Sequence, residues 1–156
     1  MHAALVRELG WTPVGVDLSG GMLRHARGRL PVALADAVRL PVRDNSVPAV
    51  ISVMVHTDMP AYPAVLREVA RVLTPDGLFV HVGVHPCFCG GFAQSWTDKE
   101  LRDEVGASHW PLPALLNAFG DAGLAVERFS EGGAPLPVVL AVAATTRPGT
   151  PRTPRR

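Results

Sequence analysis

Lysine is almost absent from this chain: of 15 basic residues among 156, only Lys99 is not an arginine. The formal net charge is +1, and acids and bases are interspersed along most of the length. That removes the clustered basic face a nucleic-acid footprint requires. The bias toward Arg, Ala, Pro and Gly reads as GC-rich coding and not as chemistry. Cysteine is nearly missing too. Cys87 and Cys89 stand one residue apart, too close for an ordinary disulfide, and nothing else suggests an oxidising compartment. A cytoplasmic location is the expectation. Long apolar runs are lacking: the longest, Ala49–Val55, is far short of a spanning helix, so no membrane association is expected. Met1–Gly10 carries Arg7 and Glu8 and has no apolar core of a secretory leader. Internal repeats are also lacking.

What is present suits one globular domain over residues 1–146. Hydrophobic residues make up 47% and charged residues 19%, enough to bury a core and too apolar for disorder. Only the tail Arg147–Arg156, rich in arginine, proline and glycine, is expected to stay disordered.

Taken in order, Met1–Leu9 reads as the end of an amphipathic helix stopped by Gly10. Pro13–Val16 is a short apolar strand ending at Asp17, and Gly20–Leu30 a helix. Val32–Ala35 is a second short strand followed by Asp36. Leu40–Pro48 is loop-like, with Asp44-Asn45-Ser46 between prolines. Ala49–Val55 has the β-branched composition of a strand buried on both faces. Pro63–Leu73 carries a helical apolar stripe, Thr74–Gly77 is a turn, and Leu78–Val84 is the next strand. His85–Trp110 is a long connection rich in His, Cys, Gly and Trp, with helical periodicity only at Asp98–Val105. A loop of that length inside a compact domain is usually functional or disordered. Helix Leu112–Gly123, strand Leu124–Ser130, a turn at Glu131-Gly132-Gly133 and strand Pro137–Ala144 complete the chain. The last two strands are close enough in sequence to pair antiparallel. Helices alternating with strands predict an open, mostly parallel α/β sheet.

In such sheets ligands bind at the carboxyl ends of the strands. Asp17 sits at one, followed by Ser-Gly-Gly and then a helix. Its carboxylate suits the vicinal hydroxyls of a ribose. Equally, Asp17 or Ser19 suits a helix cap, accepting from free backbone N–H groups. Locally the two readings are balanced.

Three segments, GVDLSGGMLRHA (15–26), ADAVRLPVRDNSVPAVIS (35–52) and LREVARVLTPDGLFVHVG (66–83), tilt that balance. Together they resemble the class I S-adenosylmethionine-dependent methyltransferases, specifically the type 11 methyltransferase domain. They match its acid-ended second strand, the Asp after the third, the LP..D.S.DAV loop and the RVL.P.G helix end. HPCF (85–88) and HWPL (109–112) look like a bacterial subgroup whose substrate loop sits there. The resemblance covers about residues 1–145. It implies a Rossmann-like sheet with an antiparallel C-terminal strand, S-adenosyl-L-methionine as cofactor, and a small-molecule acceptor.

The same resemblance assigns roles. Asp17 takes the ribose hydroxyls, and Leu18 and Met22 pack on the adenine. Asp36 accepts from the adenine amino group, while the Ala37 N–H meets a ring nitrogen. Ser52 and Val53 lie beside the methionine portion. The family's opening strand and its D.GCG.G loop have no counterpart here. That predicts a start codon assigned too late, a truncated and inactive copy, or direct pairing of the two flanking strands. It also predicts weak cofactor binding by the chain as given, and it allows a homo-oligomer.

Two histidines are candidates for catalysis: His56 after the fourth strand of the family's sheet, and His85 at the start of the long connection. For His56 the competing reading is a polar rim residue or a helix-cap contact. His81, inside a strand, is expected to be a hydrogen-bonded core residue, and His109 beside Trp110 is a further pocket candidate. The spacing of His81, His85, Cys87 and Cys89 is not that of a zinc site, and no metal is expected. Phe88, Phe92, Trp96 and Trp110 suit either substrate-pocket walls or a sheet cover. Two other functions compete with methyl transfer. One is a non-catalytic binding or assembly module on the same fold. The other is a nicotinamide-dependent oxidoreductase, against which stand the lone Tyr62 and lone Lys99, far apart in sequence.

Overall fold

The structure, a computed structural model, describes residues 2–86, 108, 110–135 and 137–146. The tail, Cys87, Phe88, Cys89, Phe92, Trp96, Lys99, His109 and the periodic segment 98–105 lie outside them. The chain divides into two compact units, residues 1–42 and 43–156.

In the first unit, helix α1 (His2–Glu8) precedes strand β1 (Gly15–Asp17). Helix α2 (Gly20–Ala26) and strand β2 (Val32–Leu34) follow. β1 and β2 pair in parallel, Gly15 opposite Val32 and Asp17 opposite Leu34. α1 ends as its glycine dictates. The Gly10 N–H bonds to the Arg7 carbonyl and the Trp11 N–H to that of Val6, while Gly10 takes a φ of 85°. α2 is shorter than its apolar pattern suggested. It stops at Ala26 because Gly28, at φ 79°, turns the chain where the sequence reading carried the helix on to Leu30. Among the described residues of this unit only Leu23 is buried, whereas Leu5, Leu9, Trp11, Val14, Leu18, Met22 and Leu34 are exposed.

The second unit is built on strand β3 (Val47–Val53), helix α3 (Tyr62–Val72) and strand β4 (Leu73–Val84). Helix α4 (Leu112–Asp121) and strands β5 (Leu124–Gly132) and β6 (Val139–Thr146) complete it. The sheet order is β3-β4-β6-β5. β3 and β4 are parallel, whereas β6 runs antiparallel to both β4 and β5. The C-terminal antiparallel pair is as expected.

Three expectations need correction. β3 is not buried on both faces. It is an edge strand with no residue fully buried, and Ile51 is 48% exposed. Thr74–Gly77 does not separate a helix from a new strand. β4 runs through it from Leu73, and the ladder to β3 jumps from Val47↔Leu73 to Ala49↔Leu78. The extra residues form a bulge with Asp76 at φ 60°. The strands ending at Asp17 and Val53 do not pair with each other but belong to separate sheets.

The core of this unit follows the apolar stripe of α3. Val65, Leu66, Val69 and Val72 are buried, as are Phe79 on β4, Leu115 and Phe119 on α4, and Leu140 and Val142 on β6. Pro63 occupies the first turn of α3 and Pro113 that of α4, where a missing N–H costs nothing. Arg71 fixes the end of α3. Its guanidinium binds Glu68 (Nη2 to Oε1, 2.7 Å) and also reaches Asp44. The Asn45 and Ser46 N–H groups bond to the Arg71 and Val72 carbonyls at 2.9 and 2.8 Å. The LP..D.S loop is thereby fastened to the RVL.P.G helix end, so two motifs distant in sequence are one contact.

Candidate functional site

Asp17 closes β1 and is half-buried. Its Oδ1 accepts from the Ser19 N–H at 2.7 Å, and the Ser19 hydroxyl caps α2 by accepting from the Met22 N–H at 3.3 Å. Of the two local readings, the helix cap therefore falls to Ser19. A carboxylate accepts about four hydrogen bonds, so Asp17 keeps capacity for a ligand's hydroxyls. Leu18, 70% exposed, and Met22, 59% exposed, flank it as uncovered apolar surface. Asp36 follows β2, is exposed, and accepts from the Val38 N–H at 3.0 Å. Ala37 beside it is half-buried. A carboxylate at a strand end, adjoining apolar side chains that water covers, fits a nucleoside: ribose on the acid, base on the apolar face.

In the second unit, Ser52 and Val53 stand opposite His81 and Val82 in the β3–β4 ladder. Just beyond them, His56 opens a 3₁₀ turn, His56–Asp58, and is 2% exposed. His85 follows β4 and is equally buried. Its backbone N–H bonds to the Val138 carbonyl at 2.9 Å, and its Nε2 lies 2.7 Å from Glu131 Oε1 at the end of β5. Among the described residues, His56 and His85 line one small cleft with Thr57, Val84, Pro86, Ser108 and Trp110. Ser108 is tied there by its N–H to the Thr57 carbonyl, 2.6 Å. The cleft lies beyond the carboxyl ends of the parallel pair β3 and β4, where α/β sheets bind ligands.

Beneath the cleft is a polar aromatic cluster. His81 is fully buried, and its Nδ1 lies 2.7 Å from the Tyr62 hydroxyl. The His56 ring meets His81 edge-on with centroids 5.0 Å apart. Burial, helped by nearby His56, pushes the His81 pKa down to about 3, so the ring is neutral. Burial likewise pushes the Tyr62 phenol well above its ordinary range, and the neighbouring Ser52 hydroxyl opposes that rise. His81 is the hydrogen-bonded core histidine that its strand position implied. Gly83 makes the packing possible. A Cβ there would fall 2.4 Å from His56 Nδ1 and 2.9 Å from His81 Nε2.

Tyr62, Gly83 and Glu131 escaped the sequence reading. Each gains its meaning from partners far away in the chain, so no local spacing signals it. Trp110, which the sequence left as either a pocket wall or a sheet cover, lines the cleft.

Residues 1–81 match the family described as a methyltransferase domain, and the chain belongs to that family. The fold agrees. A crystal structure of an S-adenosylmethionine-dependent methyltransferase from Mesorhizobium loti superposes with a TM-score of 0.75 at 21% identity. It covers 92% of this chain and 85% of that one. The architecture is thus the Rossmann-like class I methyltransferase fold, and S-adenosylmethionine is the cofactor it implies.

Among curated proteins, the chain is 38% identical over 89 residues to a probable phthiotriol/phenolphthiotriol dimycocerosates methyltransferase of Mycobacterium ulcerans. It is 40% identical over 70 residues to a malonyl-[acyl-carrier protein] O-methyltransferase of Geobacter sulfurreducens. The matches cover 53% and 41% of this chain. The chain spans only 34% and 26% of the length of those relatives. Among the described residues no helix is long and apolar enough to cross a membrane.

Proposed function

We propose that this chain carries out S-adenosylmethionine-dependent methyl transfer to a small-molecule acceptor. The observation that carries the reading is Asp17 at the end of β1, flanked by the exposed Leu18 and Met22, in a chain of this family. Asp17 binds the ribose hydroxyls, and Leu18 and Met22 cover the adenine. Asp36 accepts from the adenine amino group, and the Ala37 N–H donates to a ring nitrogen. Ser52 and Val53 adjoin the methionine portion. When bound, the cofactor supplies a methyl group already activated on a sulfonium. The protein's own tasks are then orientation, exclusion of water and removal of a proton from the acceptor. His56 and His85 are the candidates for taking that proton.

The curated relatives are named for varied acceptors, phthiotriol or phenolphthiotriol dimycocerosates for one and malonyl-[acyl-carrier protein] for another. One of them, at 40% identity, is named as an O-methyltransferase.

Isothermal titration with S-adenosylmethionine tests the reading. Hydrogen bonds to a charged group contribute about 1.5–3 kcal/mol, so Asp17→Ala should weaken binding about tenfold or more. Equal affinity of wild type and variant would contradict the assignment. Heat released by NADH in place of S-adenosylmethionine would favour the oxidoreductase. Weak binding that Asp17→Ala abolishes is the expected result, given that the D.GCG.G loop has no counterpart here; no binding even at millimolar cofactor would favour a non-catalytic module.

A further inference from the structure

Among the described residues, three besides glycine take a positive φ: Asn45 at 51°, Met54 at 57° and Asp76 at 60°. Asparagine and aspartate tolerate the left-handed region, because a short polar side chain can bond locally there. Methionine has no such help, so at Met54 the backbone is strained. Met54 comes directly after Val53, the last residue of β3 to pair with β4, and its N–H bonds to the Val82 carbonyl at 2.7 Å. Val55 is back at a φ of −119° and leads into the 3₁₀ turn His56–Asp58, where the Asp58 N–H bonds to the Val55 carbonyl at 3.1 Å. The left-handed residue is thus the corner at which the chain leaves the sheet.

The corner itself does not require a methionine. Glycine takes a positive φ without steric conflict, and asparagine with little. A side chain that offset the strain by packing would be buried, yet Met54 is 46% exposed. The corner also stands at the carboxyl end of the parallel pair β3 and β4, the end at which α/β sheets bind ligands. Residues in strained backbone conformations cluster at ligand sites, where the surrounding fold holds them in place. A thioether on three rotatable bonds is a polarisable, adaptable apolar contact.

We propose that Met54 is a ligand-contact residue: its side chain packs on the methionine portion of S-adenosylmethionine, and the strained corner is kept for that contact. The proposal rests on the methyltransferase reading, which sets Ser52 and Val53 beside the same portion of the cofactor. Met54 is the most exposed of these three consecutive residues, since Ser52 and Val53 are half-buried. The Ser52 hydroxyl oxygen is itself out of reach of solvent. Met54 is therefore the side chain of this strand end that a ligand meets first.

Urea unfolding of Met54→Gly beside Met54→Ala tests the strain without any ligand. Both variants remove the thioether, and only alanine keeps the left-handed penalty. The glycine variant should be the more stable of the two, with an unfolding equilibrium constant about two- to fivefold lower. Alanine as stable as glycine, or more stable, removes the premise of strain and overturns the proposal.

Calorimetric titration with S-adenosylmethionine, and with adenosine, which lacks the methionine portion, tests the contact. Met54→Gly should weaken S-adenosylmethionine binding about fivefold or more and leave adenosine binding unchanged. Met54→Leu keeps an apolar side chain of similar volume and should restore most of the affinity. Equal affinity of wild type and Met54→Gly for S-adenosylmethionine overturns the proposal and leaves the methyltransferase reading standing. An equal loss for adenosine overturns it too, since that would mark a general disturbance of the fold. No binding of S-adenosylmethionine to the wild type, even at millimolar concentration, defeats the methyltransferase reading and the proposal together.

Discussion

The Tyr62 hydroxyl lies 2.7 Å from His81 Nδ1, and both side chains are fully buried. Tyr62 opens α3, and His81 lies within β4 opposite Ser52. The bond therefore ties the helix start to the strand that bears the cleft. Tyr62→Phe keeps the ring and removes the partner. A buried nitrogen left unsatisfied costs about 1–3 kcal/mol, and urea unfolding should show a loss of that size.

His81 also gives stability a pH dependence. The unfolded ring takes up a proton near its ordinary value of about 6.5, whereas the folded ring does so only near 3. Below about pH 6.5 the unfolded state binds the extra proton, so stability falls as pH drops from there toward 3. Between pH 7 and 4 this one group should remove about 3 kcal/mol. His81→Asn removes the group. The difference between its unfolding free energy and that of the wild type, measured at each pH, should carry that slope.

Gly83 should not tolerate a methyl group. A Cβ 2.4 Å from His56 Nδ1 and 2.5 Å from its Cε1 must displace a buried imidazole. Overpacking of this kind costs about 1–3 kcal/mol. Thermal unfolding of Gly83→Ala should show the loss, and the His56 ring signals should be the most shifted in its NMR spectrum.

Arg71 compensates the buried Glu68 carboxylate, only 3% exposed, and stays fully protonated through its hydrogen bonds to Glu68 and then Asp44. Arg71→Ala should cost on the order of 3 kcal/mol, because it strips a buried carboxylate of a guanidinium bound to both its oxygens. Replacing Glu68 and Arg71 together by leucine should cost less than Arg71→Ala alone. Chemical denaturation of the single and double variants measures both.

Much of this was readable from residues close in sequence. The stripe Val65, Leu66, Val69, Val72 located α3, Gly10 stopped α1, and Asp17 ended a strand as its apolar approach implied. The errors arose where tertiary context overrode local pattern. Val, Ile and Ser in β3 looked like a central strand, yet a β-branched run has the same composition at a sheet edge. Thr-Pro-Asp-Gly carries every sign of a turn, and it is one in backbone shape, but the ladder closes on both sides of it. Asp17 and His85 stand out in the sequence as candidates because strand ends in α/β sheets bear ligands. Glu131 was hidden, since a turn-like Glu-Gly-Gly gives no sign that its carboxylate reaches a histidine 46 residues away.

If the Asp17 strand end binds the nucleoside of S-adenosylmethionine as proposed, an amide NMR titration of the ¹⁵N-labelled chain with that cofactor should reveal it. The largest shifts should fall at Asp17, Leu18, Met22, Asp36 and Ala37, and they should be lost in Asp17→Ala. Shifts confined to other residues, or the same five moving equally in Asp17→Ala, would contradict it.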